Sequence, residues 1–143
     1  MLPPAYFLLA ILLMVGLHML VPIVRMPTPL TLIGVAPLVL GIVLAAIANR
    51  LFHKRRTPIH PFMLPSSLVV GGPFKYSRNP MYLGMVLALT GLALLLGTVT
   101  PWLVIPPFVW LMTVRFVRQE EQTMEKQFGS DYLAYKKKVR RWV

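Results

Sequence analysis

The chain of 143 residues contains no cysteine, so it has no disulfide framework, no thiolate nucleophile and no cysteine-based metal site. Charge is scarce as well: 13% of residues are charged, against about a quarter in a water-soluble domain. Acid is scarcer still, with four Asp and Glu against 15 Lys and Arg, for a net charge of +11. The polarity of a disordered chain is also missing, since 57% of residues are hydrophobic and the mean hydropathy is +0.68. There is no G-x-S-x-G elbow, no Walker A sequence and no G-x-G-x-x-G between a strand and a helix. Three His without Cys give no usual zinc set, and His53 with His60 in one loop is a weak pair. What these absences leave is an integral membrane protein.

Its long apolar runs are the expected spans, each needing about 20 residues to cross the hydrocarbon. They cover 5–24, 30–48, 81–99 and, shorter, 102–117. The first lacks a basic flank and a small-residue cleavage site, so it reads as a span and not as a signal peptide. The expected fold class is all-α: a polytopic membrane protein of about four transmembrane helices, with an ordered cytoplasmic loop and a C-terminal interfacial helix. Small residues at helical spacing, Gly41, Ala45 and Ala48 on one span and Gly84, Ala88 and Gly91 on the next, suit close helix packing. His18 is expected to bond to a neighbouring helix. The pair Pro106-Pro107 is expected to kink the last span or mark a broken turn.

Charge orients the bundle. Only Arg25 lies between the first two spans; the segment 50–78 holds six Lys and Arg, and 115–141 holds eight. Fourteen of 15 thus fall on one side of an even-numbered bundle, which the positive-inside rule makes cytoplasmic, with both termini and the active site. The basic excess is topological, and it attracts anionic headgroups; no nucleic acid partner is expected. The aromatic and basic residues Tyr132, Tyr135, Lys136 to Lys138, Arg140, Arg141 and Trp142 suit a headgroup belt.

Two segments depart from the apolar pattern. The loop 53–80 carries Pro58, Pro61, Pro65, Gly71-Gly72 and Pro73, yet Ile59, Phe62, Met63, Leu64, Leu68, Val69, Val70 and Phe74 want burial. A long, partly apolar loop reads as one folded onto the bundle, and Gly71-Gly72 as a place of close backbone approach. The second segment begins at Arg118 and continues the last helix out of the membrane. It holds all four acids, Glu120, Glu121, Glu125 and Asp131. Glu121 and Glu125 lie one helical turn apart and need cations, for which Arg118, Lys126 and Arg78 are candidates. Composition and spacing therefore reach a small enzyme or binding protein with a site at the cytoplasmic interface, and they name no reaction.

The string GPFKYSRNPMYLG at 72–84 resembles the signature of the integral-membrane methyltransferases related to isoprenylcysteine carboxyl methyltransferase and phospholipid N-methyltransferase. Glu120-Glu121, followed by Phe128-Gly129, Tyr132, Tyr135 and Arg141, resembles the second motif of that family. The likeness covers about residues 57–142 and divides the chain into two N-terminal transmembrane helices, 1–52, and a methyltransferase-like core, 53–143. It implies S-adenosylmethionine as cofactor, bound by Leu68, Val69, Val70, Gly71, Gly72, Arg78, Asn79, Pro80, Tyr82, Gly84, Glu120 and Glu121, with Arg78 and Glu120 catalytic and no metal.

That cofactor carries a carboxylate, an ammonium, a ribose diol and a sulfonium. On this resemblance Arg78 pairs its carboxylate, or an acidic acceptor. Glu120 or Glu121 holds the ammonium or the ribose hydroxyls, and Tyr82 lies near the sulfonium. An amine acceptor would need a base, and Glu120 is the group placed to act as one. The implied acceptor is small or lipidic: a prenylcysteine-type carboxylate, a phospholipid amine or a thiol, reaching the site from the bilayer. Asn79 stands where prenylcysteine enzymes usually have His. Two other readings are a nicotinamide-dependent membrane reductase and a non-enzymatic scaffold or lipid-binding protein. Oligomeric state is not legible.

Overall fold

The computed structural model describes residues 2–54 and 67–143, with 52–54 by backbone alone. The expected burial of Ile59, Phe62, Met63 and Leu64, the loop prolines Pro58, Pro61 and Pro65, and the weak pair His53 and His60 lie outside the residues described with side chains. Among the described residues six α-helices follow in order: α1 (Pro3–Leu20), α2 (Thr28–Thr31), α3 (Val35–Lys54), α4 (Pro80–Leu96), α5 (Ile105–Met112) and α6 (Arg118–Lys138). Among the described residues there is no strand, only an isolated bridge between Arg25 and Thr98.

Three helical stretches are long and apolar enough to cross a membrane, Pro3–Leu20, Thr28–Leu51 and Thr100–Lys138, and Pro80–Leu96 is a shorter apolar helix of 17 residues. The outward faces of α1 and α3 are almost wholly apolar, with Leu8, Leu12, Leu13, Leu40 and Ile42 all exposed. Such a surface is a liability in water and the ordinary one in lipid. The protein is an integral membrane protein.

Proline sets where the helices start. Pro stands in the first turn of α1, α2, α4 and α5, where its missing N–H has no partner to lose. Pro106-Pro107 therefore does not kink the middle of a span. The pair opens α5, directly after a 3-10 turn, Thr100–Val104. The irregularity lies further on, where Thr113–Val117 forms a π turn between α5 and α6. Gly97 ends α4 in the left-handed conformation, φ 68°.

The small-residue faces meet one another. A methyl added at Gly34 would land 2.5 Å from the Gly91 carbonyl oxygen, and one at Gly84 would land 2.6 Å from that of Gly41. As one index rises by seven the other falls by seven, so α3 and α4 run antiparallel with their backbones touching. Only glycine permits that approach. A second layer of larger side chains, Met14, Leu89, Met112, Phe116 and Val117, packs α1, α4 and α5 into the core. His18 Nδ1 lies 2.9 Å from Thr98 Oγ1, just past α4, as the lone polar group of its span requires.

Candidate functional site

At the opposite end of α4, the chain from Leu68 to Asn79 folds over the start of the helix. Gly72 has φ +58° and opens a 3-10 turn, Gly72–Lys75. That backbone conformation selects glycine there, and Leu51 lies close to the position a side chain would take. Around Gly71, by contrast, there is open space. Phe74 then inserts against Ala48 and Val69, which pins the turn and presents Arg78. Asn79 precedes α4 without capping it. Its backbone N–H donates to Ser77 Oγ at 3.1 Å, and its side-chain amide donates to the Arg141 carbonyl at 3.0 Å.

The facing wall is α6. The π turn adds a residue to the helical repeat and carries Phe116 and Val117 inward. Beyond it Glu120 and Glu121 both face α4. Tyr82, one turn into α4, donates its hydroxyl to Glu120 Oε1 at 2.5 Å, a length typical of a charge-assisted bond. Phe116 stacks on the Tyr82 ring with centroids 6.4 Å apart, and Tyr6 of α1 meets Phe116 edge-on at 5.7 Å. Glu120 lies past the last apolar turn. The residue keeps some surface, but its carboxyl end sits deep among protein atoms. Burial pushes its pKa up to about 7; the Tyr82 hydrogen bond pulls the value down, and the Glu121 charge adds to the rise.

Glu121 belongs to a different network. Arg141 donates to it from both Nε, 3.0 Å to Oε1, and Nη2, 2.8 Å to Oε2. Arg78 Nη1 approaches Oε1 at 3.2 Å. Glu125 pairs with Lys136 at 2.7 Å. The cations that serve these acids are therefore Arg78, Arg141 and Lys136; Arg118 and Lys126 form no ion pair among the described residues.

Gly129 brings these partners back. Its φ of 50° and ψ of −120° break α6 into two arms. The second arm folds over the first and lays Tyr132, Tyr135 and Arg141 on the site. Tyr132 is buried, and Tyr135 donates to the Phe74 carbonyl at 2.6 Å. Burial raises the pKa of both phenols, that of Tyr135 to about 12, so both stay neutral. Tyr132 and Tyr135 thus face the cavity and Arg141 the Glu121 carboxylate, in place of the expected headgroup belt, while Lys137, Lys138 and Arg140 are exposed. The second motif contains all three residues, and the break at Gly129 is what returns them to the glutamates.

Arg78, Glu120 and Glu121 converge on one cavity, together with Leu68, Val69, Phe74, Asn79, Pro80, Met81, Tyr82, Met124, Tyr132 and Tyr135. Val70, Gly71, Gly72 and Gly84 are not in its lining; Gly84 serves the α3–α4 crossing. The cavity holds about 50 Å³, room for little more than water, and a nucleoside-sized ligand requires it to widen. Its chemistry is polarised. The Arg78 side chain is 8% exposed, yet its Nε and Nη1 have no hydrogen-bond acceptor. A buried guanidinium with idle donors fits an incoming carboxylate. Among the described residues no cluster of three His, Asp or Glu suits a metal ion.

The same two walls carry the likeness to known proteins. Residues 30–131 match the phospholipid methyltransferase family, a stretch that contains α3, α4, the Arg78 turn and both glutamates. An uncharacterized protein of Haemophilus influenzae is 38% identical over 63 residues, 44% of this chain and the whole of that protein. No solved structure matches the chain. With the match spanning well over half of its length, and the arginine and glutamate motifs meeting at one cavity, the chain belongs to the phospholipid methyltransferase family.

Proposed function

We propose that the protein is an S-adenosylmethionine-dependent methyltransferase whose acceptor is the amine of a membrane lipid, with the site on the cytoplasmic face of a four-span bundle. The observation that carries this reading is the buried Glu120 carboxyl, held by Tyr82 in the cavity that Arg78 also lines. When bound, the cofactor supplies an electrophilic methyl group for in-line displacement. Everything else falls to the chain. The idle Nε edge of Arg78 binds the carboxylate of the ligand. Leu68, Val69, Phe74, Met81 and Met124 line the cavity with apolar surface that excludes water.

An amine reacts only when neutral, so its proton must leave. Glu120 is positioned to take it, with Tyr82 fixing the orientation of the carboxylate. A group with pKa about 7 is matched to that task at neutral pH. A carboxylate or thiolate acceptor would leave this base without work. The cytoplasmic placement rests on the charge asymmetry, and α4, at 17 residues, is at the short end of what spans a bilayer.

The test is transfer of labelled methyl from S-adenosylmethionine to lipid extracts by detergent-purified protein, followed across pH. Label should appear in amine-bearing lipids. Because Glu120 acts ionised, the rate should rise with pH to a plateau, with an apparent pKa near 7. Label confined to carboxyl esters, or a flat profile between pH 6 and 8, would overturn the amine assignment.

A further inference from the structure

The cluster around Glu121 holds one carboxylate between two guanidinium groups, and it is asymmetric. Arg141 forms the two-pronged fork, using both oxygens at 3.0 and 2.8 Å. Arg78 approaches one of those oxygens from the side at 3.2 Å, without hydrogen-bond geometry, and its Nε faces no acceptor. Yet Arg78 is the more buried of the two: its side chain is 8% exposed, against 37% for Arg141. A buried Arg–Glu pair left to itself would close the fork on Arg78, since a desolvated guanidinium gains most from filling its donors. Something prevents that, and it is the second arginine.

The arm that delivers Arg141 is fixed by its backbone. The Arg140 carbonyl accepts from Arg78 N–H at 3.0 Å. The Arg141 carbonyl accepts from Asn79 Nδ2 at 3.0 Å and from Ser77 Oγ at 3.4 Å. The same stretch that carries Arg78, from Ser77 to Asn79, therefore also anchors its competitor for Glu121. We propose that Arg141 is a positioning residue: by holding both oxygens of Glu121 it keeps that carboxylate off the Nε edge of Arg78 and leaves this edge for the carboxylate of the ligand. Two positive charges against one leave the cluster with one cation to spend on an anion. The inference rests on the cofactor reading above and goes beyond it, because it assigns the affinity of the Arg78 subsite to a residue that does not touch the ligand.

Calorimetric binding of S-adenosylhomocysteine tests it on the full chain in detergent, with wild type, Arg141→Gln, Arg141→Lys, Glu121→Gln and the double variant Glu121→Gln/Arg141→Gln. Arg141→Gln should weaken binding at least tenfold, because Glu121 then closes on Arg78. Arg141→Lys, a point charge without the fork, should fall between. In the double variant no carboxylate competes for Arg78, so affinity should return to that of Glu121→Gln alone. That rescue is the signature of positioning, and Arg141→Lys, which keeps a cation beside Glu121, carries the test should Arg141→Gln fold poorly. Equal losses in both Glu121 backgrounds would reduce Arg141 to an anchor of the arm, and unchanged binding by Arg141→Gln would remove the role. If wild type itself does not bind, the cofactor reading fails and this inference with it.

Discussion

At the scale of single residues, the site separates two adjacent glutamates into two environments. Glu121 is buried between cations, and Glu120 is half-buried against a phenol. The Tyr82 hydrogen bond lowers the pKa of Glu120, so Tyr82→Phe should move the acid limb of the rate profile to higher pH. Loss of a hydrogen bond to a charged group should also lower kcat by tenfold or more, on the order of 1.5–3 kcal/mol. The pH-rate profile checks both. The same raised pKa acts on stability with the opposite sign. The folded state binds the Glu120 proton more tightly than the unfolded chain does, so this stabilisation is full below about pH 4.5 and is lost as pH rises through about 7. Glu120→Gln should abolish turnover and flatten that component of the melting temperature between pH 5 and 8. Arg78, Tyr82, Glu120 and Glu121 were legible from the sequence because their motifs are short and local. Arg141 stood in the second motif too, but its partner was not legible: twenty residues separate it from Glu121, and the break at Gly129 brings the two together.

At the scale of elements, two glycines decide the geometry by different means. Gly129 has no atom within 4 Å of where a methyl would sit, so Gly129→Ala meets no clash. Its penalty is conformational, about 1–3 kcal/mol for the strained backbone, and it falls on the fold-back of the second arm. The variant should retain its helicity and lose cofactor binding, a contrast that circular dichroism beside calorimetry would show. Gly84 is the reverse case. Gly84→Val forces two backbones apart, an overpacking cost of roughly 1–3 kcal/mol or more, and should lower the melting temperature even though Gly84 is outside the cavity lining. The apolar runs made the helices legible, because hydrophobic length is read residue by residue. The continuation of the last one past Arg118 was legible too; the π turn at Thr113–Val117 was not, because a shift of hydrogen-bond register leaves no mark in composition.

At the scale of the whole molecule, the absence of cysteine makes orientation easy to measure. Single cysteines at Ser130 and Thr28 lie near opposite ends of the bundle, and both positions are exposed. In intact cells a membrane-impermeant maleimide should label Thr28→Cys, and it should reach Ser130→Cys only after permeabilisation. The reverse pattern would place the Arg78 site outside and overturn the charge-based topology.

The glycine crossing of α3 and α4 has a further consequence, for traffic. Two helices whose backbones touch leave no slot between them wide enough for an acyl chain. They form a solid rib along one side of the bundle, and no lipid passes through it. For the lipid acceptor proposed above, the way to Glu120 then lies away from this rib, on the flanks where α4 meets its partners through side chains. Side chains can turn aside within nanoseconds; a glycine seam has nothing to turn.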